Sequence, residues 1–327
     1  MIARRLLQDI SDDLAVVEEE LQRYARDSDT LLGEASGHLV AAGGKRLRPA
    51  FVMLSGRMFK GARERLVPLA AAIELIHMAT LVHDDVIDEA DTRRKLPTVR
   101  AEWGDAVALD TGDYLFAQAL TIIARYGSEQ ICRIMAEVSL SMCQGEIEQI
   151  ESAGKITRDV RVYLGRIKKK TALLISSCCL IGGLAAGADP GSLRRLQHYG
   201  HCLGMAFQIT DDILDFEGSE DVFGKPVGND LRQGIITLPV IYALGDQQRG
   251  PLLASMISKP ATGRMSGEES DWNAKLMLVK QSGALDQARD LANRYLVKAR
   301  QHLAHLPKGT ERRILFEVTD FVQKRDF

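Results

Sequence analysis

Aromatic side chains make up only 6% of this 327-residue chain, and there are just nine prolines. A β-sandwich or barrel draws its stacking and its turns from such residues, so their scarcity favours helices. Net charge is nearly absent as well, with 42 Lys and Arg against 44 Asp and Glu leaving −2. That balance excludes a general attraction to nucleic acid, and basic clusters have to be read one at a time. The five cysteines, at 132, 143, 178, 179 and 202, lack CxxC spacing and partnered histidines. They read as reduced thiols of a cytoplasmic protein rather than as a disulfide or zinc framework. The N-terminus has no apolar core of a signal peptide, because Asp9, Asp12, Asp13 and the run Glu18 to Glu20 follow Arg4-Arg5. One long uncharged run exists, Thr171 to Ala188, whose 18 residues sit at the lower edge for a spanning helix. Its Ser176, Ser177, Gly182, Gly183 and Gly187 mark it as a buried core helix instead.

What is present is helix periodicity. Apolar residues recur at helical spacing over Leu66 to Ala90, Asp110 to Ala124, Ile131 to Ile150 and Leu193 to Leu214, and few segments alternate like strands. Asp189-Pro190 reads as an N-cap followed by proline at the first helical position. Gly43-Gly44 marks a break between an acidic N-terminal helix and a helix over Pro49 to Met58. Ser258 to Asp271, with Pro260, Gly263 and Gly267, predicts a mobile loop. The length allows two domains, but no linker separates the segments, so the expectation is a single all-α domain over 1–327.

Asp84-Asp85-Val86-Ile87-Asp88 returns as Asp211-Asp212-Ile213-Leu214-Asp215, each after an apolar stretch. On a helix, positions i and i+4 share a face, so Asp84 with Asp88, and Asp211 with Asp215, can each form an oxygen pincer. Hard oxygen donors in this number suit Mg2+, which is usually held by a few carboxylates together with water and substrate phosphates. One such motif would ordinarily be a solvated helix end; two in matched apolar contexts predict a metal-bridged phosphate site.

With Gly43-Gly44-Lys45-Arg46-Leu47-Arg48-Pro49, the His83 to Asp88 segment ending in Arg93-Arg94, Lys170-Thr171, the Phe207 to Asp215 segment and Gly224-Lys225-Pro226, the chain resembles the trans-prenyl diphosphate synthases. Within that family it most resembles the large catalytic subunits of heptaprenyl synthases. The motifs stand in family order over residues 43 to 239. The resemblance implies an all-α isoprenoid-synthase bundle with the aspartate clusters facing a central cavity. It also implies Mg2+-dependent condensation of isopentenyl diphosphate with an allylic diphosphate to a long-chain product for quinone side chains, a farnesyl or geranylgeranyl product being the shorter alternative. By the same resemblance, Asp84, Asp88 and Asp211 are expected as direct metal ligands, with Asp85, Asp212 and Asp215 as further ligands or their supports. Lys45, Arg48, His77 and Arg94 match positions for isopentenyl diphosphate; Arg93, Lys170 and Lys225 match allylic diphosphate contacts. Thr171 and Gln208 resemble the dipoles that face a developing carbocation, and small Ala79 with Thr80 resembles an open gate for a growing chain. Family members dimerise, and some take a small helical subunit as partner; any membrane contact would be peripheral, through the apolar product.

Competing readings make other demands. A di-iron bundle would use Glu74-x-x-His77 but needs a second copy of that spacing, which is missing. A terpene cyclase or a non-catalytic subunit would not require both clusters and the Gly43 to Pro49 segment together. Lys168 and Lys169 read as a solvated run beside Lys170. Two departures from the family pattern stand out. Lys95 occupies a position that is commonly glycine, so a turn needing positive φ would be reshaped. Ile235, in Gly234 to Pro239, stands where a lysine is common, removing a phosphate contact.

Overall fold

The computed structural model describes residues 7–25, 30–218, 227–258 and 265–324, and the architecture is all-α with one small hairpin. Its helices are α1 (Ser11–Ala25), α2 (Leu31–Ala41), α3 (Leu47–Arg57), α4 (Arg63–Ile87), α5 (Val99–Tyr126), α6 (Glu129–Ser152), α7 (Val160–Ile167), α8 (Leu173–Ala185), α9 (Pro190–Glu217), α10 (Asn229–Arg232), α11 (Leu238–Leu244), α12 (Gly250–Ile257), α13 (Met265–Gln281), α14 (Ala284–Ala304) and α15 (Thr310–Gln323). The helices expected from periodicity are present with shifted ends: each begins earlier than expected, and the one expected to run to Ala90 stops at Ile87. Asp189 caps α9 as expected: its Oδ1 accepts from the backbone N–H groups of Gly191 at 2.9 Å and Ser192 at 3.1 Å. The loop expected over 258–271 is shorter than the composition suggested, because α13 begins at Met265; residues 259–264 lie outside the described residues.

The chain divides into two compact units, one of residues 1–139, 175–200 and 302–318, the other of 140–174, 201–301 and 319–327. In the first unit, α4 packs against α1, α3 and α5. Leu66, Leu69, Ile73, Leu75 and Ile76 of α4 are fully buried, each contributing roughly 1.5–3 kcal/mol by removal from water. This helix is long and apolar enough to cross a membrane, but 72% of its apolar window is buried within the protein, which identifies it as a core helix. The run Thr171 to Ala188 is likewise mostly buried within the protein, as a core helix is. Gly182 of α8 lies so close to α3 that a Cβ there would meet the Val52 carbonyl oxygen at 2.3 Å.

After α4 comes a two-stranded antiparallel hairpin, Thr92–Arg93 paired with Leu96–Pro97. Its two turn residues, Arg94 and Lys95, have φ of 54° and 67°, the left-handed pair that a tight hairpin demands. The turn is therefore not reshaped by Lys95. The lysine takes the glycine conformation and bears its steric cost, about 1–2 kcal/mol.

The second unit has its core around Tyr163, Ile209, Ile213, Phe216, Leu238, Ile241 and Val279. Between α7 and α8 the backbone opens into a π-helical turn, Lys168–Ala172, a distortion that disturbs the regular hydrogen-bond ladder and is common at functional sites. Two glycines let neighbouring helices close on it. A Cβ at Gly145 of α6 would lie 3.2 Å from the Lys170 backbone nitrogen, and one at Gly204 of α9 would lie 2.6 Å from the Ala172 Cα. Gly204→Ala is therefore expected to push against backbone and destabilise by about 1–3 kcal/mol. Thermal unfolding followed by circular dichroism checks this, and an unchanged midpoint would show that the π-turn yields freely.

Candidate active site

In the first unit, the aspartate motif forms the last turn of α4. Asp84 is half-buried, Asp88 is exposed at the helix C-cap, and Asp85 turns inward to 2% exposure. Arg93, carried back by the hairpin, grips Asp85: Nε lies 2.9 and 3.0 Å from its two oxygens, and Nη2 lies 2.8 Å from Oδ1. A buried carboxylate needs such a partner. Arg93, expected to meet an allylic diphosphate, is thus engaged with the motif itself.

The Gly43 to Pro49 segment supplies the cations nearby. Gly43 takes φ of 69°, and at Gly44 a Cβ would stand 2.9 Å from Arg94 Nη1, so the missing side chain admits the guanidinium. Arg46, itself at φ 47°, holds Glu18 with Nε at 2.7 Å and Nη2 at 2.9 Å, and Glu74 with Nη1 at 3.0 Å. Lys45 is exposed and Arg48 half-buried. His77 lies one turn beyond Glu74; burial first, then Arg48, Arg94, Arg93 and Arg46, hold its pKa well below the usual histidine value. The imidazole is neutral at physiological pH. Four arginines around His77, and Arg46 on Glu74, leave no basis for a di-iron pair there. Ala79 is buried, and Thr80 donates from Oγ1 to the His77 carbonyl at 2.8 Å.

In the second unit, the π-turn presents Lys170 and Thr171. Lys170 Nζ pairs with Glu146 at 2.7 Å, and Lys169 pairs with Glu148, while Lys168 is exposed. Thr171 Oγ1 donates to Gln208 Oε1 at 2.7 Å, Gln208 Nε2 donates to Asp212 Oδ1 at 2.9 Å, and Tyr163 Oη donates to Asp212 Oδ2 at 2.6 Å. Burial, reinforced by Asp230, pushes the Asp212 carboxyl up to about 8 in spite of these donors. Both Asp212 oxygens are occupied, so it supports the motif from within. Asp215 accepts from the backbone N–H groups of Asn229 at 3.1 Å and Asp230 at 3.4 Å, and Asp211 is half-buried. Lys225, with Gly224 and Pro226, lies outside the described residues. Ile235 brings no cation; buried Arg166 in the same region donates to the Ile236 carbonyl at 2.7 Å.

Sequence reasoning missed Tyr163, Arg46 and Glu18, whose partners lie 28 to 49 positions away. Among the described residues, no three His, Cys, Asp or Glu side chains converge to hold a metal unaided. The donors available are carboxylate oxygens taken one or two at a time, a set that fits Mg2+ completed by phosphate and water.

Compared with known proteins, residues 29–267 match the family described as polyprenyl synthetase. Heptaprenyl diphosphate synthase component 2 of Geobacillus stearothermophilus is 45% identical over 318 residues, 97% of each chain. The structure of heptaprenyl diphosphate synthase from Staphylococcus aureus superimposes with a TM-score of 0.89 at 34% identity, covering 97% of this chain and 99% of that one. A polyprenyl synthase from Caulobacter crescentus, in complex with calcium and isoprenyl diphosphate, gives 0.90 at 36% identity over 99% and 98%.

Removing the Tyr163 hydroxyl leaves a buried Asp212 oxygen without its donor. Tyr163→Phe is expected to lower stability by about 1–3 kcal/mol, read as a drop in the urea midpoint. A midpoint equal to that of the parent chain would mean that the hydroxyl is dispensable.

Proposed function

Because the chain belongs to the polyprenyl synthetase family and is a prenyltransferase, we propose that it joins isopentenyl diphosphate head to tail to an allylic diphosphate, building a long all-trans polyprenyl diphosphate. The observation that carries this reading is the shared design of the two aspartate motifs. In each, the middle aspartate is buried and held by the protein, Asp85 by Arg93 and Asp212 by Tyr163 and Gln208, while the first is only half-buried. Asp84, Asp88 and Asp211 are then the carboxylates proposed to hold Mg2+, with Asp215 contributing at the end of its motif. The calcium bound to the Caulobacter relative supports a hard-cation site. When bound, Mg2+ would supply the positive charge that stabilises a departing diphosphate.

The chain's own residues do the rest. Lys45, Arg48 and Arg94, with neutral His77, offer donors of the kind that bind diphosphate, here isopentenyl diphosphate. Lys170, Lys225 and Arg93 serve the allylic diphosphate. Thr171 and Gln208, locked to each other and to Asp212, offer fixed oxygen dipoles to the allylic cation and have no nucleophilic part to play. Water must be kept away until the isopentenyl double bond attacks and a proton leaves.

A long product, near the heptaprenyl length named for the Geobacillus and Staphylococcus relatives, is also supported by Ala79. It lies five residues before Asp84 on α4, a little over one turn, and it is small. A reducing, cytoplasmic setting suits the five free cysteines. We further propose a homodimer. On α6, Ala136, Leu140, Cys143, Ile147 and Ile150 are exposed at alternating spacings of four and three, with Leu140 62% exposed, the pattern of a helix that packs on a copy of itself. The relative's name, component 2, makes a second, different component the natural candidate for a heteromeric partner.

Asp84→Ala and Asp211→Ala are each expected to lower turnover at saturating Mg2+ by about 10²–10³-fold while leaving the fold intact. The check is incorporation of isopentenyl diphosphate onto several allylic starters. Near-parental turnover by both variants would sink the assignment. In the same assay Ala79→Phe is expected to shorten the product while the first condensations persist; an unchanged product distribution would remove the gate.

Leu140→Arg with Ile147→Arg is expected to convert a dimer to monomers in light scattering. A monodisperse, active monomer of the parent chain would end the dimer proposal. Full long-chain activity from the chain alone would show that no second component is required.

A further inference from the structure

Glu74 is the most buried acidic residue of α4 after Asp85, at 4% exposure. Arg46 satisfies its Oε1 at 3.0 Å, yet its Oε2 has no hydrogen-bond partner among the described residues. That oxygen belongs to a residue lining a small cavity together with Arg46, Arg93, Arg94 and Gly43. The cavity's volume is about 20 Å³, room for roughly one water molecule. Arg94 stands at the tip of the hairpin with φ of 54°, its guanidinium against Gly44, among three other arginines that repel it. Arg46 brings one positive charge to two carboxylates, Glu18 and Glu74, so the triad keeps a surplus negative charge. Arg94 is the neighbouring exposed cation on which that surplus can act.

We propose that Glu74 is a positioning residue for isopentenyl diphosphate: clamped by Arg46, its free oxygen holds the Arg94 guanidinium across the one-water cavity. The proposal rests on the functional reading above. A guanidinium recognises phosphate through a planar fork, and the fork is effective only when its orientation is set before the ligand arrives. Glu74 sets it from behind, and Glu18 keeps Arg46 in place to hold Glu74.

Charge and position make opposite predictions, which allows a decisive test. If Glu74 acted only as a negative charge near an anion site, Glu74→Gln would tighten isopentenyl diphosphate binding. As a positioning residue, Glu74→Gln is expected to weaken it about tenfold by isothermal titration, with the KM for the allylic diphosphate changed less than about threefold. The double variant Glu74→Gln with Arg94→Gln is expected to bind no more weakly than Arg94→Gln alone, because Glu74 acts through Arg94. Glu74→Met, which replaces the buried charge by an apolar side chain of similar reach, leaves Arg46 paired with Glu18 and gives a second folded variant; the same weakening is expected. Unchanged or tighter binding in a folded variant, or additive effects in the double variant, would overturn the proposal. A parent chain that binds isopentenyl diphosphate without turning it over would remove the catalytic reading and leave Glu74's role standing; a parent chain that does not bind it overturns both.

Discussion

Carboxylates cannot be gathered at the end of an apolar helix unless something absorbs their mutual repulsion. Both motifs meet that constraint by turning the middle aspartate inward. Asp85 is charge-compensated by Arg93 on the first strand of the hairpin, and Asp212 is held by two neutral donors from α7 and α9. With the middle position fixed, the i and i+4 carboxylates of each motif are left to serve a common side of the helix. The neighbouring backbone follows from this need: the hairpin returns Arg93, and α7 brings Tyr163.

Cations face the same difficulty with the sign reversed. Arg46, Arg48, Arg93 and Arg94 all bear on His77, and such a group would splay without internal acids. Glu18, Glu74 and Asp85 are those acids, all supplied by the protein, with Glu74 and Asp85 buried and Glu18 partly exposed. Backbone geometry is bent to suit. Arg46, Arg94 and Lys95 all adopt positive φ, a conformation that costs non-glycine residues roughly 1–2 kcal/mol each. Strain of this size persists only where surrounding contacts over-determine it, as the Arg46 clamp on two helices does.

Periodicity made the helices legible because each buries a continuous apolar stripe, and Asp189-Pro190 announced α9 through local chemistry that acts within three residues. The spacing of Asp84 to Asp88 and of Asp211 to Asp215 was readable for the same reason. The π-turn at Lys168–Ala172 was not, since it arises where α6 and α9 present glycines to one stretch of backbone. Tyr163 was equally silent: a tyrosine in a helix reads as core until its hydroxyl is seen on an aspartate 49 residues away. Lys95 misled in the opposite direction. Its identity suggested a changed turn, but the hairpin's pairing outweighs the steric preference of one residue.

The two middle aspartates are stabilised by different chemistry, and the difference fits the reaction proposed. An arginine beside Asp85 does no harm where diphosphates are to be bound, because any positive potential that escapes the ion pair attracts them. At Asp212 a full cation would oppose the allylic carbocation that Thr171 and Gln208 are proposed to stabilise. Tyr163 and Gln208 avoid that conflict by holding the carboxyl with neutral dipoles, while burial and the nearby Asp230 raise its pKa above the usual carboxylate range. The Gln208 amide is then oriented twice over. Its N–H group is drawn to Asp212 and its oxygen is fixed by the Thr171 hydroxyl, so its dipole stays aligned while charge develops beside it. Such alignment in advance costs no reorganisation at the moment of ionisation, which is what makes neutral dipoles effective there.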